Sequence, residues 1–313
     1  MKISGNGAKT VCNTQDIIKS QNNTTRRTAT GEEKHTMKIS IVTATYNSAS
    51  TIRHTIESVL MQTHKDIEYI VVDGASTDDT IKIVKEYVPL FGNKLKFISE
   101  RDKGLYDAMN KGIALCTGEI VGILNSDDFY TTTTILERVN NELQNPEIDA
   151  VYGDVHYVSS ENLNKCTRYY SSKPFCRGIM RMGFMPAHPS FYCRKSCYDK
   201  AGGFDLSYKV AADFELLLRI LYINKARTKY MNTDFVTMRA GGVSNAGIES
   251  HKNIMRDHCR ALKNHGICSN FLILGLRYIY KVFELIAGNL IYKKDVPAEI
   301  CFINIYNAKT TQK

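Results

Sequence analysis

From Met37 onward, apolar runs alternate with segments whose apolar residues recur every three or four positions. The runs Ile39–Thr45, Ile67–Asp73, Lys96–Ser99 and Glu119–Leu124 predict strands, and the segments Ser50–Met61, Asp79–Tyr87 and Tyr106–Leu115 predict the helices between them. Strand-helix-strand order of this kind pairs strands in parallel through right-handed crossovers. The predicted class is therefore α/β, a Rossmann-like, mostly parallel sheet flanked by helices. Ligands of such a sheet gather beyond the carboxyl ends of its strands, where Asn47, Asp73, Asp102 and Asp127 would converge. From about Thr133 the pattern is mixed, with strands expected at Ala150–Val158 and Lys229–Arg239.

The two ends differ from this body. Residues 1–36 are rich in Asn, Thr, Lys and Gly and predict a disordered extension. Met37-Lys-Ile-Ser-Ile-Val-Thr reads like a natural start, so whether residues 1–36 belong to the native protein stays open. Phe271–Tyr292 is long and apolar, yet Arg277, Lys281 and Glu284 share one narrow face of a helix. That fits an amphipathic helix in a membrane interface, or one packed on the body or a second subunit, better than a span carrying three charges.

Charge sharpens the division. The formal net charge of the 313 residues is +9. Residues 37–250 carry 25 charges of each sign, so the excess lies on the ends, with ten basic against four acidic side chains in residues 251–313. A neutral body with a basic carboxyl-terminal region points to anionic lipid headgroups and not to a nucleic-acid groove. Nine cysteines scattered without a Cys-x-x-Cys pair fit a reducing cytosol.

The chemistry concentrates at strand ends. Gly122-Ile-Leu-Asn-Ser-Asp-Asp-Phe-Tyr130 is an apolar strand that stops on two adjacent carboxylates, Asp127 and Asp128. Neighbouring anions are comfortable only where a cation, a helix N-terminus or water takes up their charge. Taken alone the pair also reads as a helix cap and turn. Together with Thr43-Ala-Thr-Tyr-Asn47, Val72-Asp-Gly-Ala-Ser-Thr-Asp-Asp79 and Asp102-Lys-Gly-Leu-Tyr-Asp-Ala-Met-Asn-Lys-Gly112, the segment resembles the family 2 glycosyltransferases from about Met37 to Ile248. Within that family the chain looks most like bacterial enzymes that build O-antigen, capsule or exopolysaccharide units on a lipid carrier.

The resemblance implies a GT-A fold over residues 37–250, with a nucleotide-binding half at 37–130, an acceptor half at 131–250 and a helical region at 251–313. It implies an inverting enzyme that moves one sugar from a nucleotide-diphosphate donor, with UDP favoured, to a glycan or polyprenyl-diphosphate-linked acceptor. In this reading Asp73 accepts from the uracil imide, Tyr46 offers its ring, and Thr43 its hydroxyl; a bare strand-to-loop turn is the other reading of Asp73. Asn47, Asp102 and Asn110 belong to the same motifs and are carried over as substrate-binding residues. Lys103 offers charge to the phosphates, or is a solvated lysine. Asp127 and Asp128 would hold one Mg²⁺ or Mn²⁺. The family pattern Asp-x-Asp is here Asn125-Ser-Asp127, which leaves fewer charges for the ion.

The segment Gly202–Arg219 resembles the family's acceptor loop and helix and places the catalytic base on Asp213, with Glu215 behind it. A helix N-terminus would hold Asp213 ionised. Ala187-His-Pro-Ser-Phe191 adds His188 as a residue near donor and acceptor, or as a buried or capping histidine. Gly241-Gly-Val-Ser244 is expected to be a flexible loop at the mouth. With no tryptophan the processive Gln-x-x-Arg-Trp signature is impossible, so single-sugar addition is expected. The turn after the first strand lacks the Gly-rich loop of a pyrophosphorylase and the Gly-x-Gly-x-x-Gly of a dehydrogenase, while an inactive nucleotide-sugar or glycan-binding module of the same fold stays open. The expected place is cytoplasmic, peripheral on the inner face of the plasma membrane, with self-association open.

Overall fold

The structure, a computed structural model, describes residues 36–240 and 247–278. The expected extension except Thr36, the Gly241–Ser244 loop, and the Phe271–Tyr292 helix beyond 278 lie outside the described residues.

The strands are β1 (Ile39–Thr45), β2 (Ile67–Asp73), β3 (Leu95–Ser99), β4 (Ile120–Ile123), β5 (Phe129–Tyr130), β6 (Ala150–Val158), β7 (Cys166–Tyr170), β8 (Phe191–Arg194) and β9 (Thr228–Arg239). They form a single sheet in the order β3-β2-β1-β4-β8-β6-β9-β5, with β7 on the edge of β6. The four strands β3, β2, β1 and β4 run parallel, as their helical crossovers require. Strand β8 enters antiparallel between β4 and β6, and β9 returns parallel to β6.

β1 and β2 are buried along their whole length because helices cover both faces. Successive side chains point to opposite faces. Ile39, Ile41, Tyr69 and Val71 pack in the core that includes Ile52, Ile56 and Val59 of α1 (Ile52–Leu60) and Ile83 and Val84 of α2 (Thr80–Phe91). Val42, Ala44, Ile70 and Val72 pack in the other core, with Ala108 and Met109 of α3 (Leu105–Ala114). Helices α4 (Ile135–Leu143) and α5 (Lys195–Ala201) follow, and α6 (Ala212–Leu217) runs on as a π-helical turn, Leu218–Ile223. The division expected at residue 250 falls inside α7 (Gly247–Asn264), whose Ala261 and Leu262 are buried in the same core as Phe214 of α6. An amphipathic helix carries no compositional break at the point where it leaves one region for the next, so sequence alone put the boundary there.

A buried acid on the sheet shows what a satisfied carboxylate looks like here. Glu68 on β2 accepts from Ser40 Oγ at 2.6 Å, Thr117 N at 2.8 Å, Thr117 Oγ1 at 2.9 Å and Lys96 Nζ at 2.6 Å. Burial alone would raise its pKa, but the bonds from Lys96, Ser40 and Thr117 outweigh burial and pull it down to about 2.

Where β4 meets β8, Gly122 faces Tyr192 in register, and a Cβ on Gly122 would lie 2.0 Å from the tyrosine ring. Tyr192 is buried and tied by its hydroxyl to Tyr130 at 2.7 Å, so it has no room to yield. Gly122→Ala is expected to cost about 1–3 kcal/mol by overpacking. Urea unfolding checks this: the midpoint falls at unchanged slope, whereas an unchanged midpoint means that the β4–β8 seam is looser than the structure shows.

Candidate active site

The carboxyl ends of β1, β2 and β4, with the segment after β3, open on one cleft of about 1090 Å³. This is the strand-end crevice that the alternating pattern predicts.

One part of the cleft wall is a cradle around Gly74. A Cβ built there would lie 2.5 Å from Asp102 Oδ2 and 3.4 Å from the Tyr46 ring, so the glycine is what lets these groups approach. Tyr46 leaves its ring 61% exposed. Beneath it, Thr45 Oγ1 lines the cleft and is buried with no hydrogen-bond partner, an orphan group that a ligand can satisfy. Asp102 also accepts from Gly104 N at 2.8 Å, and Asp107 from Lys103 N at 3.0 Å, so side chains on both sides of the turn hold the loop that enters α3.

The second part is the carboxylate pair. Asp128 is 1% exposed, and Asp127 faces the cleft. Asn125 donates through Nδ2 to Asp128 Oδ2 at 2.8 Å. Thr55 Oγ1 donates to the Asp128 carbonyl at 2.7 Å, and Arg239 Nε to the Asp127 carbonyl at 3.0 Å. Burial raises the Asp127 pKa, and burial with the neighbouring Asp127 charge raises Asp128 well above the ordinary carboxylate value. Arg239, its own pKa lowered by burial, keeps Nη2 buried with no partner. Two crowded anions and an unsatisfied guanidinium fit a divalent cation together with a phosphate-bearing ligand. Among the described residues no group of three or more His, Cys, Asp or Glu side chains is arranged to hold a metal by itself, so an ion on Asp127 and Asp128 would draw further ligands from the bound molecule and water.

The third part surrounds Asp213, in the first turn of α6. Its Oδ1 accepts from Phe214 N at 2.8 Å while the residue lines the cleft. Burial pushes its pKa up to about 6. The approach to α6 is held from three sides: Asp257 of α7 accepts from Val210 N at 3.2 Å, Tyr106 donates to the Val210 carbonyl, and Asn110 grips both backbone polar groups of Phe204. His188 stands edge-on to Phe204, ring centroids 5.7 Å apart, and burial lowers its pKa to about 4, leaving a neutral imidazole at the cleft.

The cleft thus brings together Tyr46, Asp102, Asp127, Asp128, His188 and Asp213. Six other residues read as site residues stand outside its lining. Thr43 is buried, donating to the Leu124 carbonyl at 2.8 Å and accepting from Tyr69 at 3.2 Å, so it has no hydroxyl to offer a base. Asp73 is 0% exposed, its carboxylate taken up by Ser76 and by Ser99 Oγ at 2.7 Å. Asn47 Oδ1 accepts from Thr77 N at 2.9 Å and shapes the loop. Lys103 is exposed. Asn110 positions the α6 approach. Glu215 points away into a buried bidentate pair with Arg219, at 2.8 and 2.6 Å, and meets His265 at 2.9 Å. Arg239 and Arg277 line the cleft and were not foreseen: one ends a strand, and the other was read as the polar face of a helix.

The family model of glycosyl transferase family 2 matches residues 40–197. Over 212 residues the chain is 31% identical to a PGL/p-HBAD biosynthesis glycosyltransferase of Mycobacterium tuberculosis, covering 67% of this chain and 80% of the relative. It is 29% identical over 264 residues to the Escherichia coli UDP-Glc:alpha-D-GlcNAc-diphosphoundecaprenol beta-1,3-glucosyltransferase WfaP, covering 82% and 97%. Among solved structures it is similar to residues 1–349 of S. aureus TarS in complex with UDP-GlcNAc, with TM-score 0.58 and 20% identity over 76% of this chain and 70% of that one; of a longer TarS chain it spans 40%. The Pyrobaculum calidifontis mannosyltransferase PcManGT in complex with GDP-Man and Mn²⁺ gives TM-score 0.53 and 15% identity over 83% and 89%. The chain belongs to glycosyl transferase family 2 and has the GT-A fold. It is a glycosyltransferase.

Burial of Asp213 has a cost with a definite pH dependence. A folded pKa of about 6 stands above the unfolded value of about 3.9, so the native state holds the proton more tightly and stability falls as pH rises from about 4 to about 6. Asp213→Asn is therefore expected to be more stable than wild type above pH ~6, by on the order of 3 kcal/mol, and to converge with it near pH 4. Thermal unfolding across this range checks the sign, and equal stability at pH 8 contradicts it.

Proposed function

We propose that the cleft transfers a single sugar from a nucleotide-diphosphate sugar, UDP-linked by preference, with inversion at the anomeric carbon. The observation that carries the reading is the pairing, in one cleft, of a part-buried carboxyl poised near neutral pH with a crowded carboxylate pair and an unsatisfied guanidinium. The base of the nucleotide lies in the Gly74 cradle against Tyr46, with Asp102 and Thr45 Oγ1 as its polar partners. Its diphosphate lies between Arg239 and the carboxylates. Bound at Asp127 and Asp128, one Mg²⁺ or Mn²⁺ would neutralise the leaving diphosphate as a Lewis acid. Asp213 accepts the proton of the acceptor hydroxyl as its oxygen bonds to C1 and the bond from C1 to the diphosphate breaks, leaving the nucleoside diphosphate and a protonated Asp213 that passes its proton to water. A base of this pKa is charged at neutral pH and still basic enough to take a proton. Neutral His188 offers a hydrogen bond to either sugar without adding charge.

UDP is favoured by the names of the E. coli relative and of the TarS complex. The same relative favours a sugar on a polyprenyl diphosphate as acceptor, and with it cell-surface polysaccharide synthesis. Such an acceptor places the enzyme on the inner face of the plasma membrane. In support, residues 251–313 carry most of the basic excess and the helical segment 271–278 leaves Phe271 and Leu272 58% and 84% exposed. Among the described residues no helix is long and apolar enough to cross a membrane.

Asp213→Asn is expected to lower transfer at least ~10²-fold with nucleotide affinity unchanged, and wild-type kcat/KM should rise with pH through about 6 as the base loses its proton. In Asp127→Ala, calorimetry should find that UDP binding has lost its dependence on Mn²⁺. Wild-type transfer by Asp213→Asn, or metal-dependent UDP binding by Asp127→Ala, overturns the assignment.

A further inference from the structure

Arg277 reaches the cleft from the helical segment 271–278, anchored one turn earlier by buried Leu274. Through Nη1 it donates to the Gly183 carbonyl at 3.0 Å and to His258 Nδ1 at 3.1 Å. Gly183, at φ +79°, makes room for it: a Cβ there would lie 2.8 Å from His258 Nδ1 and 3.4 Å from Arg277 Nη1. Both acceptors are neutral, because a ring nitrogen that accepts carries no proton. Among the described residues Arg277 makes no ion pair with a carboxylate; the acid whose charge reaches it is Asp213, opposed by the like charge of Arg168, which also lines the cleft. A desolvated guanidinium with no paired carboxylate and a second guanidinium near it is unfavourable until an anion joins it. Arg239 bonds the backbone beside the carboxylate pair, whereas Arg277 stands in the field of the base. Arg239 on one side, and Arg277 with Arg168 near it on the other, therefore offer separate seats for two anions.

We propose that Arg277 holds the phosphate of the acceptor, and that the acceptor is a sugar carried on a lipid diphosphate. This rests on the glycosyltransferase reading above. A sugar hydroxyl facing Asp213 puts the diphosphate of such an acceptor about one sugar away, and Arg277 is the cation placed to meet it. The lipid has its own complement. On the segment that brings Arg277 inward, Leu272 and Leu276 are 84% and 46% exposed, an apolar outer face beside an anion-binding inner one.

The test uses full-length protein saturated with UDP, or with GDP if that binds more tightly, and calorimetric titration with farnesyl diphosphate, farnesol and inorganic pyrophosphate. Wild type is expected to bind farnesyl diphosphate at least ~10-fold more tightly than farnesol or pyrophosphate, as charge-assisted bonds added to apolar burial require. Arg277→Gln should bind farnesyl diphosphate no better than farnesol. Arg277→Lys should recover part of the preference, and all three proteins should bind nucleotide alike, which also reports that they are folded. Undiminished preference in Arg277→Gln overturns the proposal. So does pyrophosphate binding as tight as that of the lipid diphosphate, which would mean a site for free phosphate. A selective loss of nucleotide affinity in Arg277→Gln moves the arginine to the donor and leaves the glycosyltransferase reading standing. Failure of wild type to bind any nucleoside diphosphate removes that reading first.

Discussion

Everything at the mouth of the sheet is arranged around the crowding of Asp127 and Asp128 at the end of β4. Asn125, Thr55 and Arg239 all bond to this segment, yet two of those three bonds go to backbone carbonyls and leave the carboxylates to repel each other. The contrast with Glu68 is instructive. Burial acts on both acids, but Glu68 has four donors and a pKa held near 2, whereas at Asp128 burial and the anion beside it outweigh the Asn125 amide and the backbone and charge of Arg239, and its pKa is driven up. A fold that can satisfy a buried acid so fully at one end of its sheet leaves the pair at the other end short of positive charge. That shortage is the binding energy a cation and a diphosphate would release.

Asp213 extends the same logic to another part of the cleft. A carboxyl with a pKa of about 6 costs the native state stability at neutral pH, and the structure tolerates it because α6 is held elsewhere. Asp257, Tyr106 and Asn110 pin the chain ahead of it, and the Glu215–Arg219 pair locks the next turn. Asn110 and Glu215 fix where Asp213 stands. The cleft is thus a row of electrostatic deficits supported by well-satisfied neighbours.

The strands β1, β2 and β6 were legible in the sequence to their ends, because each is dense in β-branched and aromatic residues, as strands buried on both faces are. β5, β7 and β8 were not: they are short, and they pair with strands far away in the chain, so little in their own residues marks them. At the site, motif spacing identified which strand ends converge but not which way each side chain points. Thr43 and Asp73 sit within the right motifs and turn inward, while Thr45 and Gly74, their neighbours, line the cleft. Arg239 and Arg277 escaped because their meaning depends on long-range contacts, with Asp127 and with Gly183, that no local pattern encodes. A cation at the end of a strand beside paired glycines was the one cue available for Arg239.

The central claim is that the carboxylate pair and Arg239 together seat a metal-bound diphosphate. Crystals grown with UDP and Mn²⁺, measured for anomalous scattering from manganese, address it most directly. The account predicts one strong peak at ~2.0–2.2 Å from Asp127, a typical divalent-ion distance to oxygen, with the diphosphate spanning from the ion to Arg239. UDP bound with its diphosphate away from Arg239, or manganese found elsewhere while Asp127 and Asp128 keep their present arrangement, would contradict it.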